Sequence, residues 1–227
     1  MKRKLFLLAV VLIASMQFVS AQDTVAWYPV MGAKNMGFKH KIAYGEFQTS
    51  RIKVRGNKSN TEVLGVLVDF KNQYRYKFEQ KCGDAAAKVV LTENGLPEGM
   101  NELNNVFNLH LGNDVSFVAK ITLPDQTEWT FASDVSRRER EFTCGAIVGP
   151  DGQIAYSIYG NNYSRPQDVM LYRHHSYYEV RQGEKVIGKV DTKDDGKVWV
   201  DPTLDTNTKL LVSSVLTSYL IRKWQCM

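Results

Sequence analysis

Lys209-Leu210-Leu211-Val212-Ser213-Ser214-Val215-Leu216-Thr217-Ser218-Tyr219-Leu220-Ile221 is the stretch whose reading decides the fold. Its apolar residues fall on several sides of a helical wheel, and only Ser and Thr separate them. A helix that is apolar nearly all round is a buried helix. Small hydroxyls tolerate such burial because they can return hydrogen bonds to the preceding turn of backbone. Asp205, Thr206 and Asn207, just ahead of the run, are all good N-cap residues. The run is too short and too diluted by serine to span a bilayer, which takes about 20 apolar residues. It predicts a helix at the centre of a core, with the rest of the chain as its wall.

The rest reads as strands and turns. Ile42 to Arg55, Val63 to Phe70, Tyr74 to Phe78, Lys88 to Thr92, Val106 to Leu111 and Val115 to Leu123 are rich in β-branched and aromatic residues. Asn94-Gly95-Leu96-Pro97-Glu98-Gly99 interrupts them as a loop, or as a boundary between two halves meeting near 94–105. A hairpin unit then recurs. Ile121 to Leu123 turns through Pro124-Asp125-Gln126 to Glu128–Phe131. Ala146 to Val148 turns through Gly149-Pro150-Asp151-Gly152 to Ile154–Tyr159. Tyr177 to Val180 turns through Gln182-Gly183 to Lys185–Val190, and Asp194-Asp195-Gly196 opens Lys197–Val200. Pro-Asp-Gly and Asp-Asp-Gly supply the positive-φ residue that tight hairpins require. Repeated short strands joined this way indicate an antiparallel meander closing toward a barrel or sandwich. The expected fold is mainly β, an antiparallel meander closing into a barrel around a hydrophobic C-terminal helix.

That order resembles the tubby C-terminal-like fold shared by tubby, the LURP-one-related proteins and the phospholipid scramblases. The residues that carry the resemblance are Gly149-Pro150-Asp151-Gly152-Gln153-Ile154-Ala155-Tyr156, Gly183-Glu184-Lys185-Val186-Ile187-Gly188, and Trp199-Val200-Asp201-Pro202 running into Leu210–Ile221. It covers roughly residues 115 to 223 and the first half only by analogy. The resemblance implies a closed barrel enclosing one hydrophobic helix, and binding of phosphorylated lipid headgroups by basic residues alternating along a strand. The Tyr44–Arg51 stretch and the Ala21-Gln22-Asp23 processing site also look similar to exported proteins of Bacteroidota.

The first 21 residues have the three parts of an export signal: a positive n-region (Lys2, Arg3, Lys4), an unbroken apolar run from Leu5 to Ile13, and small residues at Val19-Ser20-Ala21. Cleavage is expected before Gln22, leaving residues 22–227 as a single β-rich domain that works in the periplasm of a Gram-negative bacterium or outside the cell. Lys2, Arg3 and Lys4 supply three positive charges, so cleavage lowers the formal charge from +5 to +2. The high pI therefore belongs partly to a discarded segment, and no nucleic-acid partner is expected. With 44% hydrophobic residues the chain is globular. Export permits a disulfide. Of Cys82, Cys144 and Cys226, the favoured pair is Cys82–Cys144, with three unpaired thiols as the alternative.

No catalytic, metal or cofactor signature appears past the signal. His174 and His175 are adjacent, and strand neighbours face opposite ways. His40 and His110 stand alone. No Gly-x-Ser-x-Gly elbow, Cys–His pattern or Gly-rich phosphate loop is present. The two carboxylates of a glycosidase can lie far apart in sequence and leave no local motif. A hydrolase acting on envelope glycans or lipids therefore stays as the alternative. Tyr156, Tyr159, Tyr163, Tyr172, Tyr177 and Tyr178, with Asn161 and Asn162, match either the composition of a sugar- or protein-binding surface or plain barrel-wall packing. Arg137, Arg138 and Arg140 alternate with Glu139 and Glu141 as a solvated loop does. Arg51, Lys53 and Arg55 recur every second residue. On a strand all three project from one face, with Ile52 and Val54 facing the core. They are the candidate ligand-binding residues, for an anionic lipid headgroup or an envelope protein. The other reading is an ordinary solvated strand face.

Overall fold

The computed structural model describes residues 26–32, 41–63, 66–93, 116–134, 142–162 and 176–225. The signal segment, the loop at 94–105, Arg137 to Arg140, all four histidines, Tyr163, Tyr172 and Cys226 lie outside the described residues. The strands are β1 (Tyr28–Pro29), β2 (Ala43–Tyr44), β3 (Phe47–Thr49), β4 (Lys53–Val63), β5 (Val66–Cys82), β6 (Ala85–Glu93), β7 (Ser116–Thr122), β8 (Glu128–Asp134), β9 (Phe142–Val148), β10 (Ile154–Asn162), β11 (Ser176–Gln182), β12 (Lys185–Asp191) and β13 (Lys197–Val200). One helix, α1 (Thr206–Gln225), follows.

The strands form one antiparallel sheet. It runs from β1 to β13, then strand by strand down to β5, and ends on β3 and β2. An antiparallel bridge between Met31, just past β1, and Ala43 of β2 joins the two ends, with N–H to carbonyl distances of 2.8 and 3.2 Å. The wall is a barrel, nearly closed and thinnest at this seam. β6 and β7 pair directly, so the chain on either side of residues 94–105 belongs to the same wall.

Alternation along the strands builds the core. Tyr76, Phe78 and Gln80 of β5, and Ala87, Val89 and Leu91 of β6, point inward and are buried. Arg75, Lys77, Glu79 and Lys88 between them are exposed. The wall is thus apolar inside and polar outside, the reverse of a barrel that spans a membrane with its strands. Inside it stands α1, on which every residue from Leu210 to Ile221 is buried. Ser213 and Ser214 hydroxyls donate to the Leu210 carbonyl at 3.1 and 2.6 Å, and Ser218 to the Ser214 carbonyl at 2.8 Å. These bonds remove the cost of burying hydroxyls in an apolar core. At Gly188 of β12 the helix comes so close that a Cβ would overlap Val212 Cγ1 and crowd Leu216.

The chain enters the barrel through a capped turn. Asp201 Oδ1 accepts from the Thr203 N–H (2.9 Å) and hydroxyl (2.6 Å), and Lys185 Nζ lies 2.8 Å from Oδ2. Asp205 is the N-cap: its carboxylate accepts from the Thr208 N–H at 3.0 Å and the Thr208 hydroxyl at 2.6 Å. Lys209 then pairs with Glu46 at 3.0 Å, and Asn207 Nδ2 donates to Asp125 Oδ2 at 2.9 Å, pinning the helix start to the β2–β3 and β7–β8 turns.

Three expectations change. Ile42–Arg55 is not one strand. Gly45 turns at φ +53°, where a Cβ would strike the Tyr28 ring, and the segment becomes β2, β3 and β4. Val63–Phe70 and Tyr74–Phe78 are not separate strands. Lys71-Asn72-Gln73 contains no turn-forming Gly or Pro, and β5 runs through it. Cys82 and Cys144 are both thiols, with no disulfide between them. Cys82 sits beside Glu46 and Lys209 at the start of α1. Cys144 Sγ sits 3.9 Å from Tyr219 OH, ten residues along the helix. That is about 15 Å of helical rise, against the less than about 7 Å between Cα atoms that a disulfide allows.

Candidate functional site

Of the three cations singled out by spacing, Lys53 and Arg55 lie on β4, and Arg51 precedes it. All are exposed. The register adds what spacing could not. Lys53 is directly opposite Lys77 of β5, and Arg55 directly opposite Arg75. All four side chains are exposed on the outer face. Directly opposed residues have Cβ atoms about 4.5–5.5 Å apart, and like charges so placed destabilise the sheet. The next pair on the same face is about 6.6–6.8 Å along the strands. Two like-charged pairs therefore form a compact square of cations. Among the described residues none of the four is in an ion pair.

Arg51 stands slightly apart. It sits where the chain crosses from β3 to β4, beside the pairing in which the Ser50 N–H donates to the Glu79 carbonyl (2.8 Å) and the Glu79 N–H to Ser50 Oγ (2.9 Å). The expected inward face holds at Ile52, which is buried, and fails at Val54, which is 46% exposed although its partner Tyr76 is fully buried. Here β4 leaves the barrel wall, and its former core side faces solvent. Arg75-Tyr76-Lys77 has the same alternation as Lys53-Val54-Arg55, and that was the signal available in the sequence for the other half of the square.

The tyrosine-rich segment divides between the two sides of the wall. Tyr178 points inward and stacks on Tyr219, with ring centroids 3.8 Å apart. Tyr156 packs against Trp129 at 6.0 Å. Tyr159, Glu179, Lys189 and Trp199 lie in one register row across β10 to β13. Arg181 covers the Tyr159 ring at 4.1 Å, and Lys189 lies 5.7 Å from the Trp199 ring. Glu179 gathers Arg181 Nε (2.9 Å), Tyr177 OH (2.8 Å) and Lys189 Nζ (3.8 Å). Charges and ring faces in this patch already satisfy one another.

The interior is filled. Tyr44 OH lies 2.9 Å from the Ser213 carbonyl and 2.8 Å from Thr217 Oγ1, and Thr217 donates to Gln80 Oε1 at 2.8 Å. Among the described residues Gln80 Nε2 is buried with no hydrogen-bond partner. Tyr219 OH donates to Ser133 Oγ at 2.7 Å, which donates to the Cys144 carbonyl at 3.0 Å. Burial pushes the Tyr44 hydroxyl well above its ordinary pKa, and its bonds to Thr217 and Ser213 offset that only in part. Tyr219 is likewise raised by burial. Burial also raises the Cys82 thiol, and Glu46 adds to the effect. The Tyr44 and Tyr219 hydroxyls tie helix to wall.

Among the described residues no three His, Cys, Asp or Glu side chains come together as a metal set. An open depression of about 260 Å³ lies over the β12–β13 turn, lined by Asp191, Lys193, Asp194, Asp195, Gly196 and Lys197. Asp191 there already accepts from the Lys193 N–H at 2.8 Å and pairs with Lys197 at 3.5 Å. No helix among the described residues is long and apolar enough to cross a membrane. Fold and site together define an antiparallel barrel plugged by its own C-terminal helix, with a square of cations on one outer face that no acid among the described residues pairs. Compared with known proteins, the chain matches no family model, no curated protein and no solved structure.

Proposed function

We propose that this is an exported, non-catalytic barrel protein of the tubby C-terminal-like type. It acts in the bacterial envelope, where the outer face of β4 and β5 binds an anionic ligand, a lipid headgroup first of all. One observation carries the reading: Lys53 faces Lys77 and Arg55 faces Arg75 with no described acid paired to them. A sheet that places like charges opposite one another loses stability, and a bound anion recovers it. Arginine adds bidentate contacts to phosphate oxygens. The filled barrel supports a surface site over an interior one, since α1 stands where a catalytic pocket or an enclosed ligand would be.

The test is sedimentation with phosphatidylcholine vesicles, with and without phosphatidylglycerol, at low and high salt. Each cation near an anionic surface is worth about 1 kcal/mol, so four give about 4 kcal/mol, more than a hundredfold in affinity. Binding should require the anionic lipid, weaken with salt, and fall about a hundredfold or more when Lys53, Arg55, Arg75 and Lys77 all become Gln. Binding indifferent to salt and to the fourfold substitution would reduce these residues to a solvated strand face.

A further inference from the structure

Register carries the outer face of β4 and β5 onward across two more strands. Lys77 faces Val90 of β6, and Val90 faces Lys120 of β7. Two residues further along, Glu79 faces Lys88, and Lys88 faces Thr122. Lys88 and Glu79 are exposed. The Lys120 side chain is 44% exposed and pairs with Glu128 at 2.7 Å. Lys88 and Lys120 thus join the four cations of the square on one outer face, with Glu79 and Glu128 as the acids beside them. The far side of the barrel is built differently. β11 lies six pairings from β5 whichever way the wall is followed, through β6 to β10 or through β3, β2, β1, β13 and β12 across the Met31–Ala43 bridge. There Arg181 and Lys189 meet Glu179, and Lys197 meets Asp191.

We infer that the partner of this face is the surface of an anionic bilayer, met by β4, β5, β6 and β7 together, and not one headgroup held in the square. This rests on the anionic-ligand reading above and extends it to the partner's size and to the side of the barrel that meets it. Distance decides between the two partners. Strands stand about 4.8 Å apart, and each residue advances about 3.4 Å. Measured on the sheet, Lys88 and Lys120 therefore each lie about 12 Å from the centre of the square. Salt limits the reach of an exposed charge to about 10 Å at 0.1 M. A single phosphate seated over the square gains little from either lysine. A bilayer offers headgroups beneath both, and each cation near such a surface adds its own attraction. From β4 to β7 is three pairings, a quarter of the way round the wall, so long side chains from all four strands reach one plane. β11, with its charges already matched, faces away from the bilayer.

The test uses the full mature chain and phosphatidylcholine–phosphatidylglycerol vesicles. Lys88→Gln with Lys120→Gln, both outside the square, should lower vesicle affinity about tenfold. The thermal melt should stay in place, since exposed charge pairs add little to stability. A second measurement needs neither substitution. In a Cys226→Ser background, a dye attached at Lys88→Cys should be quenched by lipid carrying a nitroxide on its headgroup. The same dye at Lys193→Cys, an exposed site in the β12–β13 turn, should not. If the Lys88 and Lys120 double variant binds like the parent while the fourfold square variant does not, the bilayer face is overturned and the anionic-ligand reading stands, with one headgroup as the ligand. Quenching at 193 as strong as at 88 also overturns the face. A parent chain that does not sediment with these vesicles overturns both readings.

Discussion

Replacing Leu216 by Ala removes three carbon atoms from the middle of the plug. Leu216 is fully buried, and its Cδ1 crowds the space above Gly188 of β12. Leucine-to-alanine changes in cores cost about 2–5 kcal/mol, and the figure rises with the cavity left behind. Here collapse is restricted, because the wall around the helix is hydrogen-bonded strand to strand nearly all the way round. The upper part of the range, about 3–5 kcal/mol, is expected. A domain's net stability is about 5–15 kcal/mol, so the variant should fold but melt far earlier. Urea unfolding measures this directly. The midpoint should fall while the slope m stays that of the parent, as for a change in stability alone. Ile154→Ala, at a site 49% exposed, is the control and should cost under about 1 kcal/mol. If Leu216→Ala unfolds within about 0.5 kcal/mol of the parent, the helix is not the packed centre of the barrel.

A chain ending at Asn207 should fail to fold, because Leu210 to Ile221 supply the barrel's filling; a cooperative melt near that of the full chain would contradict this. Burial acts against the charge on Asp201, but hydrogen bonds from Lys185 and Thr203 prevail and hold its carboxyl down at about 2. Against an unfolded value of about 3.9, the lowered pKa contributes roughly 2 kcal/mol that is complete above about pH 5 and is lost as pH falls toward 2. Asp201→Asn should therefore flatten that part of the acid limb in a stability–pH titration, and an unchanged limb would remove Asp201 from the account. The exported protein should begin at Gln22, and an intact mass that retains Met1–Ala21 would refute the export reading.

What the sequence made legible was local. Ser213, Ser214 and Ser218 marked a helix able to be buried on all sides, because their hydroxyls can bond within their own turn. Gly152, Gly183 and Gly196 marked hairpins, and each has a positive φ in the structure. What stayed hidden depends on contacts between distant residues. The spacing of Arg51, Lys53 and Arg55 showed a cationic row, but only the β4–β5 register shows what faces it. The same register continues through Lys71-Asn72-Gln73, and so turns two expected strands into one long β5. Val54 has the alternation of a core residue and lies exposed, since alternation gives the side of a strand and not whether a wall stands behind it. Cys82 and Cys144 were matched by count and by compartment. Their separation along the barrel axis appears only once Lys209 and Tyr219 are placed on the helix between them.

The most direct measurement takes the two cations that the register sets opposite Lys53 and Arg55. Arg75→Gln with Lys77→Gln removes one member of each facing pair and leaves the three cations of the β3–β4 side in place. At low salt the doubly substituted chain should melt at or above the parent's temperature, because like-charge repulsion across the sheet is relieved. Its affinity for phosphatidylglycerol vesicles should fall about tenfold or more. A lower melting temperature with vesicle binding unchanged would contradict the claim that the square of cations exists for an anionic ligand.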